Sequence, residues 1–166
     1  MSAGLTFSVL MNNQTIIANS DMVFIRTAAA LASRASNIMI LRAWCGQTAT
    51  ETSEQLGIQL AVQASAFGTY TSTTPAVHMP GANASGIAGG TAGAAATAGT
   101  DASTNAAGTK TPIIVDGFNN LNGWLWVPTP EERIVLPVDT AIVLAMIGTA
   151  TTLTNWSAGI SYQELT

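Results

Sequence analysis

The residues of this chain that could do chemistry are few. They are one histidine, one cysteine, an adjacent pair of glutamates and four tryptophans. His78 stands beside Met79-Pro80 at the edge of a low-complexity stretch. A nucleophile–base device needs its base held within hydrogen-bond reach of the nucleophile, and no such partner is signalled near it. Cys45 lies in a strand-like run, which predicts a buried, inert thiol; a reactive one needs a basic neighbour. One histidine and one cysteine cannot assemble a structural zinc site without several carboxylates. No calcium loop of the Asp-x-Asp-x-Asp-Gly kind occurs. Glu131 and Glu132 could suggest a glycosidase pair. Adjacent side chains on an extended segment point apart, so they cannot flank one bond. They are expected in a turn, paired with Arg133 or Arg42. Gly86–Gly93 has no lysine and no following helix, so it is not a phosphate loop. No catalytic, cofactor-binding or metal-binding residue is therefore expected. Trp44, Trp124, Trp126 and Trp156 could make a sugar-stacking platform, but burial in a core or a subunit interface is the preferred reading.

The elements that position these residues are strands. The C-terminal stretch Asn122–Thr166 reads as four short runs separated by proline, Asp-Thr and Gly-Thr punctuation. Trp124 and Trp126 share a face of the first. Ile134 and Leu136 share a face of the second, over Glu131–Pro137. Ile142, Leu144 and Met146 share a face of the third, and Ile160 and Tyr162 a face of the last. Period-two alternation marks half-buried strands. Upstream, Leu5–Met11 alternates in the same way and Asn12-Asn13 reads as a turn. Thr15–Ala18 and Met22–Arg26 are short apolar pieces. The Ala-rich Thr27–Ser36 fits a short helix or a connector. Ile38–Cys45 is apolar on both faces, as a central strand is. Arg42 within it must reach a carboxylate or stack on an aromatic ring. Gly46–Ser53 is a polar loop. In Leu56–Ala64, Ile58, Leu60 and Val62 should point inward, and Gln59, Ala61 and Gln63 outward. Thr111–Val115 is a strand, with turns at Asp116-Gly117 and Asn119–Gly123.

Composition narrows the class. The chain has 166 residues, enough for a single domain with a real core. Only 8% of residues are charged, against roughly a quarter in ordinary domains. Five Lys and Arg against nine Asp and Glu make a nucleic-acid face improbable on electrostatic grounds. No signal peptide is evident, and no run reaches the roughly 18 apolar residues of a spanning helix. The Asn-x-Ser/Thr triplets at Asn13, Asn83 and Asn155 are chance in a Thr- and Ser-rich chain. An apolar, charge-poor exterior points to surface hidden in an assembly, most simply a homo-oligomer. Between Ser65 and Thr109 the only charged residue is Asp101. This 65–110 region reads as a long Ala/Gly/Thr-rich loop, either passive or ordered against a neighbouring subunit, with a weak helical signal at Ala92–Ala98. Within it, Pro80–Thr109 is expected to be an extended arm lying on a neighbour through main-chain hydrogen bonds. The fold expected is all-β, an antiparallel two-sheet sandwich of jelly-roll type over 1–166. Its core should hold Ile38, Ile40, Ile58, Leu60, Val62, Leu144 and Met146.

Three segments carry a resemblance. The run Trp124–Val135, containing Pro128-Thr129-Pro130-Glu131-Glu132-Arg133, is followed by Thr140–Leu144 and by Trp156–Leu165, with the strand Ile38–Cys45 ahead of them. Together they resemble head decoration, or cement, proteins of tailed bacteriophages. Ser65–Lys110 falls outside the resemblance. It implies a jelly-roll homotrimer on the outer surface of the virion capsid, made in the host cytoplasm. It would clamp neighbouring major capsid subunits, without enzymatic activity, cofactor, membrane or nucleic-acid partner. The competing expectation is a phage receptor- or glycan-binding head module that uses exposed tryptophans.

Overall fold

The computed structural model describes residues 6–19, 21–27, 37–49, 52–63, 71–73, 75–78, 96–102 and 109–165. In chain order the strands are β1 (Thr6–Gln14), β2 (Asp21–Thr27), β3 (Asn37–Gln47), β4 (Gln55–Gln63), β5 (Thr71–Ser72) and β6 (Ala76–Val77). There follow β7 (Ala96–Ala102), β8 (Lys110–Asn119), β9 (Trp124–Trp126), β10 (Val135–Leu136), β11 (Ala141–Ile147) and β12 (Trp156–Leu165). One 3-10 turn covers Pro130–Glu132. The strands form two antiparallel sheets. One has the order β10-β3-β12-β1-β6, with β9 also on β3; the other has the order β5-β7-β2-β11-β4-β8. The fold is the all-β sandwich of jelly-roll type that the alternation predicts.

Between the sheets lies one core. Phe7 and Val9 of β1, Ile38 and Ile40 of β3, Ile58 and Leu60 of β4, Ile142, Leu144 and Met146 of β11, and Ile160 and Tyr162 of β12 are all buried there. Each set sits two residues apart, because a strand turns alternate side chains to one face. Phe7 stacks on Tyr162 at 5.4 Å between centroids. Trp156, fully buried, meets Phe118 edge-on at 6.3 Å. Its indole Nε1 donates to the Thr152 carbonyl at 3.0 Å, which satisfies the one polar atom the ring carries inward.

Several local expectations are corrected. In β4, Val62 is only partly buried, while Ala61 and Gln63, expected outward, are buried. The β4–β8 register slips between Leu60 and Ala61. Ala61 also joins Phe24, Val143 and Ala145 in a second small cluster. These alternate with core residues, so the second sheet buries side chains on both faces. Asp116-Gly117 is not a turn. Both residues stay in β8, opposite Ile58 and Gly57, because a continuous ladder with β4 outweighs a weak local signal. Asn12-Asn13 is likewise within β1, where the register with β12 shifts between Met11 and Gln14 and Asn13 takes φ 51°. The strand expected over Glu131–Pro137 begins instead as the 3-10 turn and contributes only β10. Pro130 suits the first position of a helical turn.

The low-complexity middle is not all loop. β5 and β6 fall within it, and β7 fills the place between β5 and β2. Asp21 through Thr27 of β2 pair with Ala102 through Ala96. The segment 96–102 therefore hydrogen-bonds through its main chain, but to its own sheet rather than to a neighbouring subunit. Ladder bonds require no particular side chain, and β2 offered an open edge. The helical signal at Ala92–Ala98 ends in strand from Ala96 onward. The remainder of the Pro80–Thr109 arm up to residue 108, with Asn83 and Gly86–Gly93, lies outside the described residues, as do residues 28–36.

Candidate interaction surface

β6, β1, β12 and β3 lie side by side, and their outward side chains form a hydrogen-bonded row. His78 follows β6, and its backbone N–H donates to the Thr6 carbonyl at 2.9 Å. Its Nε2 lies 2.6 Å from Ser8 Oγ. Ser8 Oγ is 2.6 Å from Ser161 Oγ, which accepts from Arg42 Nε at 3.1 Å. The Arg42 guanidinium rests 4.8 Å from the centroid of the Trp44 ring. The aromatic alternative for Arg42 is thus the one adopted. Sequence reasoning could not find the row, since Ser8 and Ser161 are 153 positions apart. Ser8 and His78 have the distance of a nucleophile and its base. No described carboxylate hydrogen-bonds the imidazole, however, and Ser8 is buried beneath its neighbours. The device lacks the third group that would orient the base. Physically, the row ties four strands together across one face.

The tryptophans face mostly inward. Trp156 is in the core, and Trp124 is buried with its Nε1 donating to Asp116 Oδ2 at 3.1 Å, a bond from β9 to β8. Trp126 is half-buried against the core. Trp44 lies over Gly159 of β12, its cross-strand neighbour. A Cβ at position 159 would stand 2.2 Å from the ring, so only glycine permits the contact. Trp44 also borders a shallow groove of about 380 Å³ with Leu125, Leu121, Asn122 and Gln47. The amides beneath it are occupied. Gln47 Nε2 donates to the carbonyls of Thr152 and Thr154, and Asn120 Nδ2 donates to Gln47 Oε1. Gly123 closes the groove at φ 69°, where a Cβ would stand 2.9 Å from the Cys45 carbonyl oxygen. Cys45 is buried as expected. Burial pushes its thiol up to about 12, only partly offset by a hydrogen bond from the Trp124 backbone. Among the described residues, no group of three or more His, Cys, Asp or Glu could hold a metal ion.

Exposed aliphatic side chains gather where the two sheets present their open edges. β8 is the last strand of its sheet, and β9 and β10 line the edge of the other beyond β3. Between them runs a groove of about 240 Å³ lined by Ile113, Ile114, Trp126, Glu132 and Ile134. Ile113 stands in solvent, as do Val115, Val127 and Val135, each next in sequence to a lining residue, with Val127 64% and Val115 63% exposed. An apolar edge strand invites association. Pro112 and the register slip beside it interrupt the edge, devices that discourage indefinite strand pairing while leaving the side chains to pack.

The charges beside this groove make no ion pair among the described residues. Arg26 meets Asp139 at 3.5 Å, and Lys110 pairs with buried Asp21. Arg42 is held by Ser161 and Trp44. Glu131 and Glu132, expected to pair with Arg133 or Arg42, do neither. Among the described residues their carboxylates make no ion pair. After the 3-10 turn the backbone becomes extended at Arg133 (φ −64°, ψ 130°). Arg133 is half-buried, whereas both glutamates are exposed. Arg133 Nε is buried and finds no hydrogen-bond acceptor among the described residues.

Comparisons with protein-family models, with curated proteins and with solved structures yielded no match.

Proposed function

We propose that the chain is a non-enzymatic structural protein of a phage virion that seats on the outer capsid surface as a homotrimer and clamps neighbouring major capsid subunits. The observation that carries this reading is the apolar exposed side at β8, β9 and β10, on a molecule with very few charges. The likeness of Trp124–Val135 and of the flanking strands to decoration proteins supports it, as does the sandwich architecture. Burial of that aliphatic surface, partly between copies of the chain and partly against capsid subunits, would favour the assembled shell over its parts by mass action. Linking three copies raises the effective concentration of each weak contact. The inward-facing Trp124 and Trp156, and Trp44 held under Arg42, weigh against the glycan-platform alternative. A mass-spectrometric inventory of purified particles tests the proposal. Copy numbers on the order of hundreds per particle are expected of a cement protein, whose multivalent contact depends on repeated sites. A few copies, or tens at most, would overturn it in favour of a fibre or receptor-binding part.

A further inference from the structure

We infer that the β8/β9/β10 side is where a second copy of this chain docks, with Arg133 of one copy paired to Glu131 or Glu132 of the next. This deepens the homo-oligomer of the proposed function and rests on that part of it. Three observations converge. Ile113, which lines the groove between the sheet edges, is exposed, as are Val115, Val127 and Val135, each next in sequence to a lining residue; such side chains gain about 25 cal/mol for each Å² they hide from water. Arg133 is half-buried and makes no ion pair among the described residues. Glu131 and Glu132 stand exposed in the adjoining 3-10 turn without an ion pair, and Glu132 lines the same groove.

The surface therefore carries both halves of a charge pair that cannot close on itself. The 3-10 turn leaves both carboxylates exposed, and the backbone becomes extended at Arg133. A second copy supplies the opposite charge from the same stretch, and repetition of that contact about a three-fold axis closes the trimer. A different protein would have to provide an apolar ridge and both charge signs at matching positions. A repeated copy provides them by construction. Arginine suits the role because its planar fork accepts a carboxylate in two-point contact. The interrupted β8 edge limits the contact to side-chain packing. That gives a closed assembly rather than a growing sheet.

The test is a charge exchange, read by sedimentation velocity on the purified full chain at micromolar concentrations, without capsids. The parent protein is expected to sediment as an oligomer. Arg133→Glu alone, and Glu131→Arg with Glu132→Arg, are each expected to weaken self-association by roughly tenfold or more, as loss of a buried interfacial charge pair does. The triple variant carrying all three changes restores opposite signs and is expected to recover the oligomer. Both glutamates are exposed, so their variant is expected to keep the fold, which thermal melting checks; Val127→Asp gives an independent probe of the exposed apolar side chains. A monomeric parent overturns the inference, as does an oligomer indifferent to both reversals, or a triple variant that stays dissociated. Particle copy number is measured separately. Hundreds of copies together with a monomeric parent would remove this interface while leaving the capsid reading intact.

Discussion

β8 and β12 are both ten residues long and end up in opposite environments. β8 contains Ile113, Ile114 and Val115 in succession, yet most of its residues are exposed. β12 contains Ser157, Gly159, Ser161, Gln163 and Glu164, yet it is buried over nearly its whole length. Hydrophobic content does not explain this. β12 lies between β1 and β3 and is hydrogen-bonded on both sides, whereas β8 has β4 on one side only. Place in the sheet sets how much of a strand water reaches. Ser161 in the central strand is tolerated because cross-strand partners, Ser8 and Arg42, satisfy it. Apolar residues on the edge strand remain in water unless another molecule covers them.

The contrast can be broken most severely at Trp156. Trp156→Ala opens a cavity in the core and removes the edge contact with Phe118. A loss of about 3–5 kcal/mol is expected in chemical denaturation, and a loss under about 1 kcal/mol would mean that β12 is not the centre it is described to be.

Next in size is Gly159→Ala. The added Cβ collides with the Trp44 ring and must expel it from its place under Arg42. Overpacking of this kind costs about 1–3 kcal/mol. Tryptophan fluorescence should shift to the red as the ring enters water. An unchanged spectrum and melting point would show that the ring does not lie on the strand.

Cys45 marks where the two regions meet, paired to Ala158 of β12 on one side and Trp124 of β9 on the other. Burial raises its thiol from 9.0 to about 12, so the folded chain holds that proton more tightly than the unfolded chain. The stabilisation is complete below about pH 9 and is lost as pH rises toward about 12. The expected slope is about −1.4 kcal/mol per pH unit. Tyr162 is also shifted upward, first by burial and then by the nearby Glu164 charge, and adds a term of the same sign at higher pH. Melting curves for the parent and Cys45→Ala across that range should diverge. Parallel curves would place the thiol in contact with water.

The smallest effect belongs to the edge. Val115→Ser is expected to change the stability of the isolated subunit by no more than about 0.5 kcal/mol. A loss comparable to that of Trp156→Ala would show that Val115 is core and erase the distinction between the strands.

Much of the sandwich was legible in the chain. Alternation placed Ile38, Ile40, Ile58, Leu60, Leu144 and Met146 in the core, because strand periodicity is a local property that any stretch carries by itself. At Val62 the face was right and the side chain packs against the core, but it is only partly buried, while Ala61 and Gln63 on the other face are covered as well. The local reading failed at Asp116-Gly117, where a turn signal lost to a long ladder. The composition of the middle stretch foretold main-chain bonding, but not that β7 would pair with β2. The site was less legible than the fold. Glu131, Glu132 and Arg133 could be picked out as neighbours in sequence, but their mutual orientation turns on one 3-10 turn and the extended residue after it. His78, Ser8, Ser161 and Arg42 become a row only when β6, β1, β12 and β3 are set side by side. The sequence by itself determined which residues alternate, and so most of the strands and the core they bury, though not β5, β6 or β7. The tertiary structure decided which strand lies at an edge, which charges are left without a partner and where apolar surface stays open. Each of those depends on pairings between segments distant in the chain, and no local pattern encodes them.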